Sequence, residues 1–288
     1  MQYVCSHVCG RDLSAQSILL LDEHSSVVCP ELLFVQMAET LELGHLVMLG
    51  NELCGTFTRS ANHPASGPVV DHVPPATTVE DIRQYLKKGI GVRGAKRARL
   101  ALAYVRDGAA SVPEAKLATM YELPSEECGY GLGPITLNKR VRVSKTQNLQ
   151  KKRDRYPDIL LALAPIGINY DGEKDHLDLD GLIRLARAAA LADAEDCVEA
   201  EKALAKKRRE LRNKAVDDMR RDRELLCAGR VVLRATKEDV RSIDALDNFT
   251  RQLLWCAQVY FGVDVSEYEK VLDDSEPRRD RDKLWRSL

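Results

Sequence analysis

Apolar positions along this chain recur at helical spacing in its first third and cluster as short strand-like runs in its middle. From Cys29-Pro30-Glu31 onward, Leu33, Phe34, Met37, Ala38 and Leu41 mark a helix with one buried face, opened by a proline that suits a first helical turn. Residues 60–78 then carry Ser60, Asn62, Pro64, Ser66, Gly67, Pro68, Pro74 and Pro75 with no apolar period, which predicts a linker or long surface loop. Two more helices are expected over 78–88 and 95–105. Between them, Gly89-Ile90-Gly91-Val92-Arg93-Gly94 has the spelling of a dinucleotide loop, but no strand leads into it, so it reads as a helix-helix turn.

From residue 111 the pattern changes to a helix at 113–123, strands at about 135–143, 157–163 and 166–170, a helical stretch at 178–228, a strand at 230–235 and a helix at 238–260. Written out, this is αβββαβ with a closing helix, an α/β fold behind a mainly helical N-terminal module. The expected divisions are 1–78 for that module and linker, 79–110 for a basic helical segment, 111–260 for the α/β domain, and 261–288 for a loosely attached charged tail. The long helix has seventeen charged residues from Glu199 to Glu224 and only a narrow apolar stripe at Leu204, Leu211, Ala215, Met219 and Leu226. Such a stripe is too thin to sit alone in a core, so it is expected to pair with the helix at 238–260 or with a second copy of the chain, making a homodimer.

Charge changes the picture locally. Lys and Arg total 43 against 44 Asp and Glu, so polyanions are attracted only where bases cluster. One cluster runs from Arg83 to Arg106, with Arg93, Lys96 and Arg97 at its centre and no acid within it. The other holds Lys139, Arg140, Arg142, Lys145, Lys151, Lys152, Arg153 and Arg155 against the single acid Asp154. Both suit the DNA backbone and carry little sequence preference. Aromatic residues make up 5% of the chain, which disfavours stacking on single strands. No apolar run reaches the roughly 20 residues of a membrane span, and residues 1–20 lack the pattern of a secretory leader, so a cytoplasmic protein without membrane partners is expected. Eight scattered cysteines read as reduced thiols, and Cys5, His7, Cys9, His24 and Cys29 match no common zinc spacing.

The chemistry concentrates on five positions. Ser111-Val112-Pro113-Glu114 has the spacing of a helix capping box, so capping and metal binding compete for the Glu114 carboxylate. Asp158 follows Pro157 at the mouth of the apolar strand 159–163. Asn169 and Asp171 lie two apart, on one face of the next strand, and Gly172 ends it. His176 lies five residues beyond Asp171, placed to orient a water or meet a phosphate.

Pro157-Asp158, Asn169-Tyr170-Asp171-Gly172, His176, Asp218-x-x-Arg221-x-x-x-Leu225-x-x-x-Gly229 and Val232-x-Arg234-x-Thr236 together resemble the restriction-endonuclease-like PD-(D/E)XK superfamily, in its very-short-patch-repair-type branch. Cys29-Pro30-Glu31 through Ala38, Glu52-Leu53-Cys54-Gly55 and Gly129-Tyr130-Gly131 resemble marks of a group of uncharacterised bacterial proteins with such a C-terminal domain. The resemblance implies a restriction-endonuclease-like αβββαβ core and a DNA endonuclease in which Glu114, Asp158 and Asp171 hold a Mg²⁺, with Asn169 and His176 completing the catalytic set. Asn169 replaces the acid that the branch carries there, and a neutral amide offsets none of the ion's charge, so hydrolysis is expected to be weakened or lost. The rival reading is a non-catalytic DNA-binding or partner-binding regulatory protein of antitoxin or phage-defence type.

Overall fold

The computed structural model describes residues 13, 15–60, 63, 67–88, 93–143, 154–172, 183–187 and 194–288. By their contacts they form two compact units, one of residues 1–131 with 286–288 and one of residues 132–285.

The first unit is mainly helical. A hairpin of β1 (Ile18–Leu20) and β2 (Ser26–Val28) precedes α1 (Pro30–Met37), which is capped by the Cys29 sulfur, and α2 (Leu43–Leu53). A second hairpin, β3 (Phe57–Arg59) with β4 (Val69–Asp71), occupies part of the expected loop. Helices α3 (Val79–Lys87), α4 (Ala95–Leu102) and α5 (Val112–Glu122) follow. Thr78 and Ser111 cap α3 and α5 by accepting the amide three residues on, which ends each loop where the sequence signals it. Leu32, Phe34, Leu46, Val47, Ile82, Leu117 and Met120 are buried between these helices. Asn51 ties them together, because its side-chain amide donates to Thr119 Oγ1 at 3.0 Å and Ala115 O at 3.4 Å while its carbonyl accepts from the Arg106 amide at 2.8 Å.

The second unit is built on a four-stranded mixed sheet of β5 (Ile135–Leu137), β8 (Ile159–Leu161), β9 (Ile166–Asp171) and β10 (Val231–Thr236), in the order β10-β9-β8-β5. The three earlier strands run antiparallel to their neighbours, and β10 lies parallel to β9 after the long helix α6 (Ala194–Cys227). A small hairpin of β6 (Val141–Arg142) and β7 (Asp154–Arg155) stands apart from this sheet. The single strand expected at 135–143 is thus two. Asn138 breaks it with a positive φ of 47°, a conformation Asn tolerates, and its amide bonds the Asp158 carbonyl at 2.9 Å.

The register separates two chemistries. One face carries Ile135, Leu137, Ile159, Leu161, Ile166, Ile168 and Ala235, all buried. The other lines up Leu160, Gly167 and Val232 in one row, then Asn169 beside Arg234, then Asp171 beside Thr236. Leu225 of α6 packs with Leu160, Val232 and Val141, which places the end of α6 on this second face.

Helix α7 (Ile243–Phe261), capped by Ser242, packs on β9 and β10. Most of 261–288, expected as a loose tail, instead forms α8 (Ser266–Asp273) and α9 (Ser275–Ser287). Leu272, Leu284 and Trp285 are buried there, and the fully buried Arg281 donates to the Val271 carbonyl at 3.0 Å. High charge hides this pattern, because only a few apolar side chains per turn hold each helix down. The apolar stripe expected along α6 is only partly buried within one chain. Leu204 and Leu211 are half-buried, but Met219 and Leu226 are exposed, and the helix meets the sheet through Asp218, Asp222 and Leu225.

Among the described residues, no helix is long and apolar enough to cross a membrane.

Candidate functional site

Asp158, Asn169 and Asp171 come together at the mouth of β8 and β9. The last ladder pair is Ile159 with Ile168, so Asp158 and Asn169 face each other one step beyond it. There the side chains replace the missing ladder bonds. The Tyr170 amide donates to Asp158 Oδ2 at 2.6 Å, and the Asp158 amide donates to Asn169 Oδ1 at 3.3 Å. Asn169 is fully buried, and its Nδ2 has no hydrogen-bond partner among the described residues. That leaves a desolvated donor whose burial is offset by no bond of its own.

Asp171 is engaged differently. Its Oδ2 accepts from Arg234 Nη1 at 2.8 Å, and the same guanidinium donates through Nε to Asp222 Oδ2 at 2.8 Å and lies 3.5 Å from Asp218 Oδ2. Parallel pairing of β9 and β10 brings Arg234 to the face of Asn169 and Asp171, while the i, i+4 spacing of Asp218 and Asp222 presents two carboxylates from one side of α6. Burial works against the Arg234 charge, but the bonds to Asp222 and Asp171 outweigh it and raise the guanidinium pKa further above its ordinary value.

A second ion pair lies in the same unit. Arg155 Nε donates to Glu224 Oε2 at 2.6 Å with both side chains more than nine-tenths buried, joining β7 to the end of α6.

Glu114 belongs to the first unit. Its carboxylate closes a capping box, accepting from the Ser111 hydroxyl at 2.9 Å and the Ala110 amide at 3.0 Å, while its own amide donates to Ser111 Oγ at 3.4 Å. His176, Lys145, Lys151, Lys152 and Arg153 lie outside the described residues. Of the other bases, Lys96, Arg97, Lys139 and Arg142 are exposed, Arg93 is exposed 3.2 Å from Glu39, and Arg140 pairs with Asp154 at 2.8 Å.

The donor set does not fit the magnesium ion that the resemblance implies. Asp171 already faces a guanidinium, Asn169 is neutral, and Asp158 is bonded to a backbone amide. At a separation of about 4 Å and an effective dielectric near 20, a divalent ion and a guanidinium repel by roughly 8 kcal/mol. Among the described residues, no group of three or more His, Cys, Asp or Glu side chains is arranged to take a metal ion.

Sequence reasoning passed over Arg234, Asp222 and the Arg155–Glu224 pair as functional positions. The signal for Arg234 was present in Val232-x-Arg234-x-Thr236, where alternation on a strand puts all three side chains on one face. Comparison with protein-family models, curated proteins and solved structures finds no match to this chain.

Proposed function

We propose that the second unit is a restriction-endonuclease-like domain that no longer carries out metal-dependent hydrolysis, and that the protein acts by binding duplex DNA with little sequence preference. One observation carries this reading. The acid on β9 that the resemblance gives to a metal ion is bonded to Arg234, a cation supplied by the neighbouring strand. The β10-β9-β8-β5 order, with β10 parallel to β9 after a helix, supports the βββαβ part of that core, with Asp158 just before β8 and Asp171 at the end of β9. The non-catalytic alternative is favoured over a working endonuclease because the guanidinium satisfies the charge of Asp171 without activating a water.

Exposed bases are present in each unit, Lys96 and Arg97 in the first and Lys139 and Arg142 in the second. Each phosphate neutralised adds about 0.9 to the slope of log affinity against log salt, so four contacts predict a loss of about 100-fold between 50 and 200 mM salt. The test pairs a fluorescence-anisotropy titration on a mixed-sequence duplex with a plasmid-nicking assay in Mg²⁺ and Mn²⁺. Salt-sensitive binding without nicking is expected. Metal-dependent nicking that disappears in Asp158→Asn would refute the loss of catalysis, and no binding at 50 mM salt would refute the DNA reading.

A further inference from the structure

Helix α6 presents a charged surface that neither the sheet nor the site uses. At about 100° per residue, Lys202, Lys206, Arg209, Arg212, Arg220 and Arg223 fall within about 120° of its circumference, turned away from Asp218, Asp222 and Leu225. All six are exposed, and none has a carboxylate partner among the described residues. This contrasts with Arg93, Arg106 and Arg140, which are held by Glu39, Glu122 and Asp154. Glu210 and Asp217 lie on the flank of the stripe, and Glu224, at its end, is buried on Arg155.

We propose that this outward face of α6 is a binding surface for duplex DNA, laid along the sugar-phosphate backbone. The proposal rests on the DNA-binding reading above and names the element that supplies most of its charge. The stripe spans 21 residue steps, or about 30 Å at 1.5 Å per residue, close to the roughly 34 Å of one duplex turn. Its six unpaired charges are free to replace condensed counterions, which is the main source of sequence-independent affinity. The occupant is a duplex on chemical grounds. The stripe has no aromatic residue on which a single strand would stack, and Val216 is its only large apolar residue, whereas a helix lying in a lipid interface needs a continuous apolar face.

The test compares the full chain with the quadruple variant K206Q, R209Q, R212Q and R220Q, with its charge-preserving counterpart K206R, R209K, R212K and R220K, and with K139Q and R142Q. Each is titrated with a 30-base-pair mixed-sequence duplex from 50 to 200 mM salt. The Gln variant is expected to bind at least tenfold more weakly, with a log–log salt slope shallower by about 3, and the charge-preserving variant to stay within threefold of wild type. Equal binding by wild type and the Gln variant, with weakening only in K139Q and R142Q, overturns the proposal and leaves the DNA reading standing. No binding by wild type overturns both. Capture by phosphatidylserine vesicles but not by the duplex also overturns it, since the stripe would then recognise a lipid surface.

Discussion

Replacing Arg234 by methionine removes the cation that Asp171 and Asp222 share while keeping much of the aliphatic stem. Two charge-assisted bonds are lost, each worth about 1.5–3 kcal/mol, and three carboxylates are left near one another. Deleting one partner of a fully buried pair costs about 3–5 kcal/mol. Arg234 and Asp222 retain 26% and 32% exposure, so water recovers part of this and about 3 kcal/mol is expected. For a chain of this size, that corresponds to a Tm lower by roughly 6–12 °C in differential scanning fluorimetry. The clearer signature is gain of metal response. With the guanidinium gone, Asp171, Asp218 and Asp222, which are not arranged to take a metal ion in the wild type, are free to close around another cation, and Mn²⁺ or Ca²⁺ at 100 times its Kd should return about 2.7 kcal/mol. Wild type should show no such shift. Arg234→Lys keeps one charge but cannot bridge two carboxylates, so it should fall between the two. Arg234→Met with wild-type stability, or with no metal-dependent stabilisation, would refute the claim that the guanidinium satisfies a cation-binding set. The same logic makes Asn169→Glu by itself silent towards metal, because the new acid would sit beside Arg234 in register, whereas Asn169→Glu combined with Arg234→Met should bind more tightly than Arg234→Met alone.

Two further outcomes test the packing. Asn51→Ala in the first unit strands the Arg106 amide and the Thr119 hydroxyl contact, so the urea midpoint should correspond to a loss of about 2–3 kcal/mol, while Asn51→Asp should lose as much by burying a charge. For the buried pair in the second unit, Arg155→Met and Glu224→Leu should each cost about 3–5 kcal/mol, but the double variant should return to within about 1 kcal/mol of wild type; additive losses in that cycle would show that the two side chains do not depend on each other.

The order of elements was legible because local signals agree with it. Thr78, Ser111 and Ser242 each stand one residue before a helix and cap it, and the apolar runs at 159–161 and 166–168 become the buried centre of the sheet. What escaped depends on distance along the chain. Arg234 and Asp171 are 63 residues apart, and Arg155 and Glu224 are 69 apart, so no window of sequence contains either pair. The face of α6 that meets the sheet was illegible for a related reason. Periodicity finds the side of a helix that prefers oil, but α6 seats its last turns on a polar row of the sheet, where charged residues face inward and Met219 and Leu226 face out. Asn138 and the helices at 266–287 fail on composition, one an Asn that breaks a strand by its φ, the other a charge-rich segment whose anchors are only a few side chains.

The asymmetry between Asp158 and Asp171 bears most directly on what this unit does. On the proposed reading both sit where a nuclease keeps its acids, yet each is held by its own fold. Asp158 takes a backbone amide and ends a ladder, so its mutation should loosen β8 from β9; Asp171 takes one arm of a guanidinium, so its mutation should leave Arg234 held by Asp222 through Nε. Arginine and a divalent ion both satisfy clustered carboxylates, but only the ion brings a bound water with a lowered pKa. Under that proposal, a site that has exchanged one for the other keeps its charge balance and its packing without the means to cut. Selection for an intact sheet would then preserve Asp158, Asp171 and Arg234 together even with no reaction to perform, which is why a nuclease-like pattern in sequence is weaker support for cleavage than the identity of the group those acids bind.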